Sequence, residues 1–115
     1  MSVRSFMDEY RTWTRPTDDG RRLWAGRVFF TLAPHRTWIT LCRIEAMHAG
    51  AGYGSAALRW LCKVADKHGV KLSGIAEPFG SRFLELEKLM AWYVVFGFEV
   101  TVKDFYYIDR EPRRK

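Results

Sequence analysis

Apolar positions recur along the chain with two periods, near four and near two, and the switches between them lay out the elements. Phe6, Tyr10 and Trp13 stand at helical spacing, which predicts a short amphipathic helix over residues 2–13. Residues 14–20 gather Pro, Gly and two acids, the composition of a loop. Two runs rich in aromatic and β-branched residues follow, 23–32 and 38–45, and read as an antiparallel hairpin turning at 33–37. In the second run Trp38, Cys42 and Ile44 alternate on one face and Ile39 and Leu41 on the other. That pattern predicts a strand covered on both sides, in the middle of a sheet.

A glycine-rich stretch comes next, His48-Ala49-Gly50-Ala51-Gly52-Tyr53-Gly54-Ser55, and then a clear helix. Ala57, Leu58, Leu61, Val64 and Ala65 form its apolar stripe, with Arg59, Lys63, Asp66 and Lys67 opposite and Gly69 placed as a C-terminal cap. Residues 72–76 predict a short strand, broken by Glu77-Pro78-Phe79-Gly80. A second long helix is predicted over 82–96, with Phe83, Leu86, Leu89, Met90 and Tyr93 on its apolar side and Gly97 as its stop. Residues 98–109 are β-rich, with a break at Asp104.

The strand–helix–strand connection between 38 and 76 requires a parallel or mixed neighbourhood within the sheet. The expected class is therefore α/β: a mixed, mostly antiparallel sheet of five to seven strands flanked by helices. At 115 residues the chain forms one domain, 1–115, whose charged end, 110–115, is expected to be mobile. Hydrophobic residues at 48% and aromatic residues at 16% exclude intrinsic disorder. Apolar runs such as 91–96 are far short of the roughly 20 residues of a membrane span, and acids interrupt the N-terminus where a signal peptide is apolar. A cytoplasmic protein with no membrane contact is expected. Cys42 and Cys62 lack a zinc-site pattern and read as buried free thiols, so no metal is expected. The net charge of +6 favours an anionic ligand or an acidic partner without choosing among them.

Gly50, Gly52 and Gly54 alternate between a strand and a helix, where backbone N–H groups and the helix dipole suit a phosphate or pyrophosphate. A glycine-rich turn with no ligand is the plain alternative. The stretch ends Gly-Ser-Ala, so it is not a Walker loop, and its G-x-G-x-G spacing behind a hairpin departs from the dinucleotide fingerprint.

Two motifs in order carry a resemblance. The stretch Ala49-Gly50-Ala51-Gly52-Tyr53-Gly54 is similar to the Gln/Arg-x-x-Gly-x-Gly/Ala loop of the Gcn5-related N-acetyltransferases (GNAT family). Trp92-Tyr93-Val94-Val95-Phe96-Gly97-Phe98 resembles the end of that family's late helix. The likeness covers about 23–109, and in its length and its Glu-Pro the chain looks most like the short viral and phage acetyltransferases. The family's Gln or Arg is Ala49 here, a loss of one side chain from the grip on the cofactor.

The resemblance implies acetyl-CoA as co-substrate, with its pyrophosphate on Ala49, Gly50, Ala51, Gly52, Tyr53, Gly54 and Ser55. It implies an oxyanion donor among the backbone N–H groups of Cys42, Arg43 and Ile44, and Tyr93 as the acid that protonates the departing thiolate. A base must take a proton from the amine; the candidates are Glu45, then Glu77, then His48. Each has a plainer reading: Tyr93 as a core aromatic, the two acids as exposed strand ends, His48 as a solvated loop residue. The implied activity is acetyl transfer to a primary amine by direct attack. A protein lysine in an acidic or nucleic-acid-associated setting is the first choice, because a +6 protein repels a free basic peptide. The alternative is a catalytically weak binding module of the same fold that blocks an acidic or nucleic-acid-associated partner; a nucleic-acid binder is a third, without a motif to support it. Homodimer formation stays open.

Overall fold

A computed structural model of the chain describes residues 2–47, 51–76, 83–102 and 106–113, with the backbone alone for 83–85. The chain runs α1 (Val3–Trp13), β1 (Thr14–Pro16), β2 (Arg22–Trp24), β3 (Val28–Pro34), β4 (Trp38–Ala46), α2 (Tyr53–His68), β5 (Lys71–Ile75), α3 (Phe83–Val95), β6 (Glu99–Val102) and β7 (Tyr106–Arg110). The strands form one sheet in the order β1-β2-β3-β4-β5-β7-β6. All neighbours are antiparallel except β4 and β5, the pair joined through α2. This is the expected class, with seven strands.

Helix boundaries follow local chemistry. Ser2 caps α1, its Oγ accepting from the Ser5 N–H at 3.0 Å. At the other end of α2, Gly69 takes φ +65° and its N–H returns to the Asp66 carbonyl, while Val70 N–H reaches the Ala65 carbonyl at 2.9 Å. The three helices lie on one face of the sheet. Tyr10 of α1 meets Phe30 of β3 edge-on and also touches Trp60 of α2. Glu9 of α1 holds Lys67 and His68 of α2, each at 2.9 Å. On the far side of α2, the Trp92 indole of α3 donates to Ser55 Oγ at 2.8 Å and Arg59 lies over Phe96. Phe6, Phe30, Leu58, Leu61, Leu72 and Ile108 fill the layer between helices and sheet.

Several expectations need correction. Residues 14–16, read as loop, are an edge strand, made so by pairing with β2. The run 23–32 is two strands, split by the three residues 25–27, a turn in which Ala25 and Gly26 both have positive φ. The two-faced pattern of β4 has a different cause. Thr31 pairs with Arg43 and Leu32 with Leu41, so Cys42 is an extra, bulged residue. The bulge shifts the alternation by one, and Ile44 joins Ile39 and Leu41 on the helix side. Cys42 is consequently exposed rather than buried; Cys62 is buried as expected.

The stretch from Arg110 onward, expected to be mobile, is anchored as far as it is described. Arg110 is 4% exposed and grips the Asp66 carboxylate with two bonds, of 2.7 and 3.0 Å. Its Nε donates to the Phe96 carbonyl at 2.7 Å, and the Arg113 N–H reaches Asp66 at 2.8 Å. No helix among the described residues is long and apolar enough to cross a membrane.

Candidate functional site

The site begins where β4 and β5 part. Their parallel pairing covers Trp38–Lys71, Ile39–Leu72 and Thr40–Ser73 and then stops. Beyond it β5 pairs only with β7, and β4 continues to Ala46 paired with β3 alone. On its β5 side, β4 from 41 to 46 therefore has no partner strand among the described residues. The Cys42 bulge turns β4 away at this point, while just before it Gly74 of β5 lets the two strands lie close, since a Cβ there would stand 2.7 Å from the Leu41 carbonyl oxygen. Gly74→Ala must push the strands apart, at a cost of about 1–3 kcal/mol. The expected result is a lower urea midpoint with an unchanged slope.

The α2 N-terminus stands at the open end of this gap. Gly52 takes φ +81° as the N-cap, with open space around the position of a Cβ. The first intrahelical bond is Ala56 N–H to the Gly52 carbonyl at 3.1 Å. The N–H groups of Tyr53, Gly54 and Ser55 precede it and have no acceptor among the described residues, and the first turn holds no acid. That is favourable ground for an anion. Gly54 also marks a three-way junction: a Cβ there would touch Ala46, at the end of β4, and Trp92 of α3, at 4.0 and 3.9 Å. Ser55 points its hydroxyl at Trp92, so its side chain ties α2 to α3 and leaves its backbone N–H at the turn.

The structure thus gathers Cys42, Arg43 and Ile44 on the part of β4 that runs past its pairing with β5, with Ala51, Gly52, Tyr53, Gly54 and Ser55 beyond its end. Glu45 lies on the sheet face away from the helices. Its Oε2 accepts from Arg21 at 3.1 Å and lies 3.8 Å from Arg43 Nε, while Oε1 has no partner among the described residues. Tyr93 is buried, packed against Trp92 and Phe98. Burial pushes its hydroxyl pKa up to about 12, so the group keeps its proton throughout the neutral range. Partial desolvation raises the thiol of the exposed Cys42, which disfavours a thiolate nucleophile. Glu77, His48, Ala49 and Gly50 lie outside the described residues. Among the described residues no group of His, Cys, Asp and Glu is arranged to hold a metal.

No family model matches the chain, and no curated protein matches it. A solved structure does. The fold is similar to that of the anti-CRISPR protein AcrVA5, with a TM-score of 0.62 over 76% of this chain and 93% of that one, at 18% identity. At that identity the likeness is one of fold.

One residue at this site escaped sequence reasoning. Arg27, among many scattered cations in the sequence, lies over the Tyr53 ring at 4.4 Å and donates to its hydroxyl at 2.9 Å. Only the folded hairpin brings residues 26 apart together, and no local signal marks the pair.

Proposed function

We propose that the protein is an N-acetyltransferase that moves an acetyl group from acetyl-CoA to a primary amine, with a protein lysine as the first acceptor class. The observation that carries this reading is the parting of β4 from β5 directly ahead of a glycine-capped helix N-terminus. A thioester arm laid in that gap meets the β4 backbone past its pairing with β5, where an N–H at Cys42, Arg43 or Ile44 is the candidate to stabilise the developing oxyanion. The pyrophosphate then falls on the N–H groups of Tyr53, Gly54 and Ser55, which have no acceptor among the described residues. Glu45 is the described base candidate, with Oε1 open to the incoming amine.

The test is incubation with isotopically labelled acetyl-CoA and candidate acceptors, read by free CoA and by mass spectrometry. AcrVA5 is by its name an anti-CRISPR protein, so a CRISPR effector is the first protein acceptor to try. Transfer requires acceptor-dependent CoA release and label on defined lysines. CoA binding without any transfer would favour the binding-module reading. Gly52→Glu sets a carboxylate against the phosphates and should abolish thermal stabilisation by CoA. Gly52→Asn tolerates the left-handed conformation without the charge and should retain most of it. Equal stabilisation of wild type and Gly52→Glu would remove the α2 N-terminus from the cofactor site.

A further inference from the structure

Arg27 is a fixed cation without an acidic counterpart. Its backbone is pinned on both sides: its N–H donates to the Trp24 carbonyl at 3.0 Å, and its carbonyl accepts from the Met47 N–H at 2.8 Å. The first bond closes the tight turn between β2 and β3, and the second carries the β3–β4 pairing one step beyond Ala46. The side chain is therefore delivered to the place where β4 ends and the glycine stretch begins. There its guanidinium stacks on Tyr53, the first residue of α2, and bonds to the phenol oxygen.

Two other guanidinium groups of the fold are neutralised, while Arg22 and Arg59, which also lack a carboxylate among the described residues, lie against Thr14 and Phe96 and not at Tyr53. Arg21 pairs with Asp19 and Glu45, and Arg110 with Asp66. Arg27 has no carboxylate within ion-pair range among the described residues, and a phenol does not cancel its charge. The residues from His48 to Ser55 contain neither Lys nor Arg, so a doubly charged pyrophosphate on this turn would otherwise meet backbone dipoles alone.

We infer that Arg27, carried on the Tyr53 ring, is the cation that binds the coenzyme pyrophosphate; this rests on the acetyl-CoA reading above. A guanidinium is always charged and offers a planar fork to two phosphate oxygens, which suits it to this position better than an ammonium. The Tyr53 contact holds the fork on the first residue of α2 and limits the freedom lost on binding.

Titration calorimetry with CoA and with dephospho-CoA, which keeps the pyrophosphate and lacks the ribose phosphate, tests it. Arg27→Gln should weaken both ligands by the same factor, about tenfold to a hundredfold, with an unchanged melting midpoint in the absence of ligand. Arg27→Lys should recover part of the loss, and Tyr53→Phe should show a smaller loss than Arg27→Gln. Undiminished binding by Arg27→Gln overturns the assignment, as does a loss confined to CoA, which would place Arg27 at the ribose phosphate. A lowered ligand-free midpoint accompanying the loss would make Arg27 a structural strut and also overturns it. Failure of the wild type to bind either ligand is a different result: it removes the acetyl-CoA reading itself.

Discussion

Asp66→Asn should lower stability by about 3 kcal/mol, because it leaves the buried Arg110 guanidinium without its counter-charge. For a domain of this size that corresponds to a drop of roughly 10 °C in Tm. The carboxylate makes three bonds, two from the Arg110 fork and one from the Arg113 N–H, and it joins α2 to the end of β7. Arg110 in turn holds the Phe96 carbonyl behind α3, so one charge network ties together both long helices and the last strand. Partial burial works to raise the Asp66 pKa, but the Arg110 and Arg113 hydrogen bonds outweigh it and hold it below the usual range. A depressed folded-state pKa gives a contribution that is whole above the unfolded value, about 4, and fades as pH falls through the folded one. Melting between roughly pH 5 and pH 2 should therefore be less pH-dependent in Asp66→Asn than in the wild type. The slope that remains includes Glu9, held low by its hydrogen bonds from Lys67 and His68. An unchanged Tm would show that water replaces the carboxylate at no cost.

The largest expected effect on turnover is that of Tyr93→Phe. On the acetyl-transfer reading it removes the proton donor for the thiolate, and loss of a positioned acid slows such steps by about 10²-fold or more. Coenzyme affinity should hardly change, since the ring stays packed between Trp92 and Phe98. Stability should hold as well, because the hydroxyl has no hydrogen-bond partner among the described residues to lose. With the wild-type hydroxyl pKa near 12, no loss of rate from ionisation of this group should appear below about pH 11. Steady-state kinetics beside calorimetry separates the two quantities. Wild-type kcat in the variant would return Tyr93 to the hydrophobic core and leave the thiolate to take its proton from water.

How far the fold could be read in advance depended on whether the signal was local. The α2 stripe and its Gly69 cap and the Gly97 stop are properties of neighbouring residues, and the structure places them as read; of the α1 spacing Phe6 and Tyr10 are buried, while Trp13 at the helix end is exposed. β1 was hidden because Thr14-Arg15-Pro16 has no strand character of its own; it is extended through its partner β2. The split at Ala25 and Gly26 lay inside an apolar run, where nothing but the hairpin demands positive φ at both. The bulge was the most misleading feature. A single inserted residue, Cys42, made a strand with one buried face look like one buried on both. For the site, Gly52 and the first turn of α2 were legible from glycine spacing. The parting of β4 from β5, the closeness of Gly74 to Leu41 and the delivery of Arg27 to Tyr53 all depend on contacts between distant segments.

The side of β4 that β5 leaves beyond Thr40 has one more consequence. A strand with free N–H and C=O groups is a template on which other chains can add, and proteins that polymerise commonly do so through one. Here the template lies inside the sheet. The pairs from Trp38–Lys71 to Thr40–Ser73 close one end of the slot, and the α2 N-terminus with Trp92 stands at the other. The Cys42 bulge interrupts the repeat an incoming strand would need to match, and exposed Arg43 sets a charge beside it. A strand from a neighbouring molecule would have to thread between two strands already joined. The gap between β4 and β5 can thus lie at the centre of the sheet without offering a growing point for aggregation.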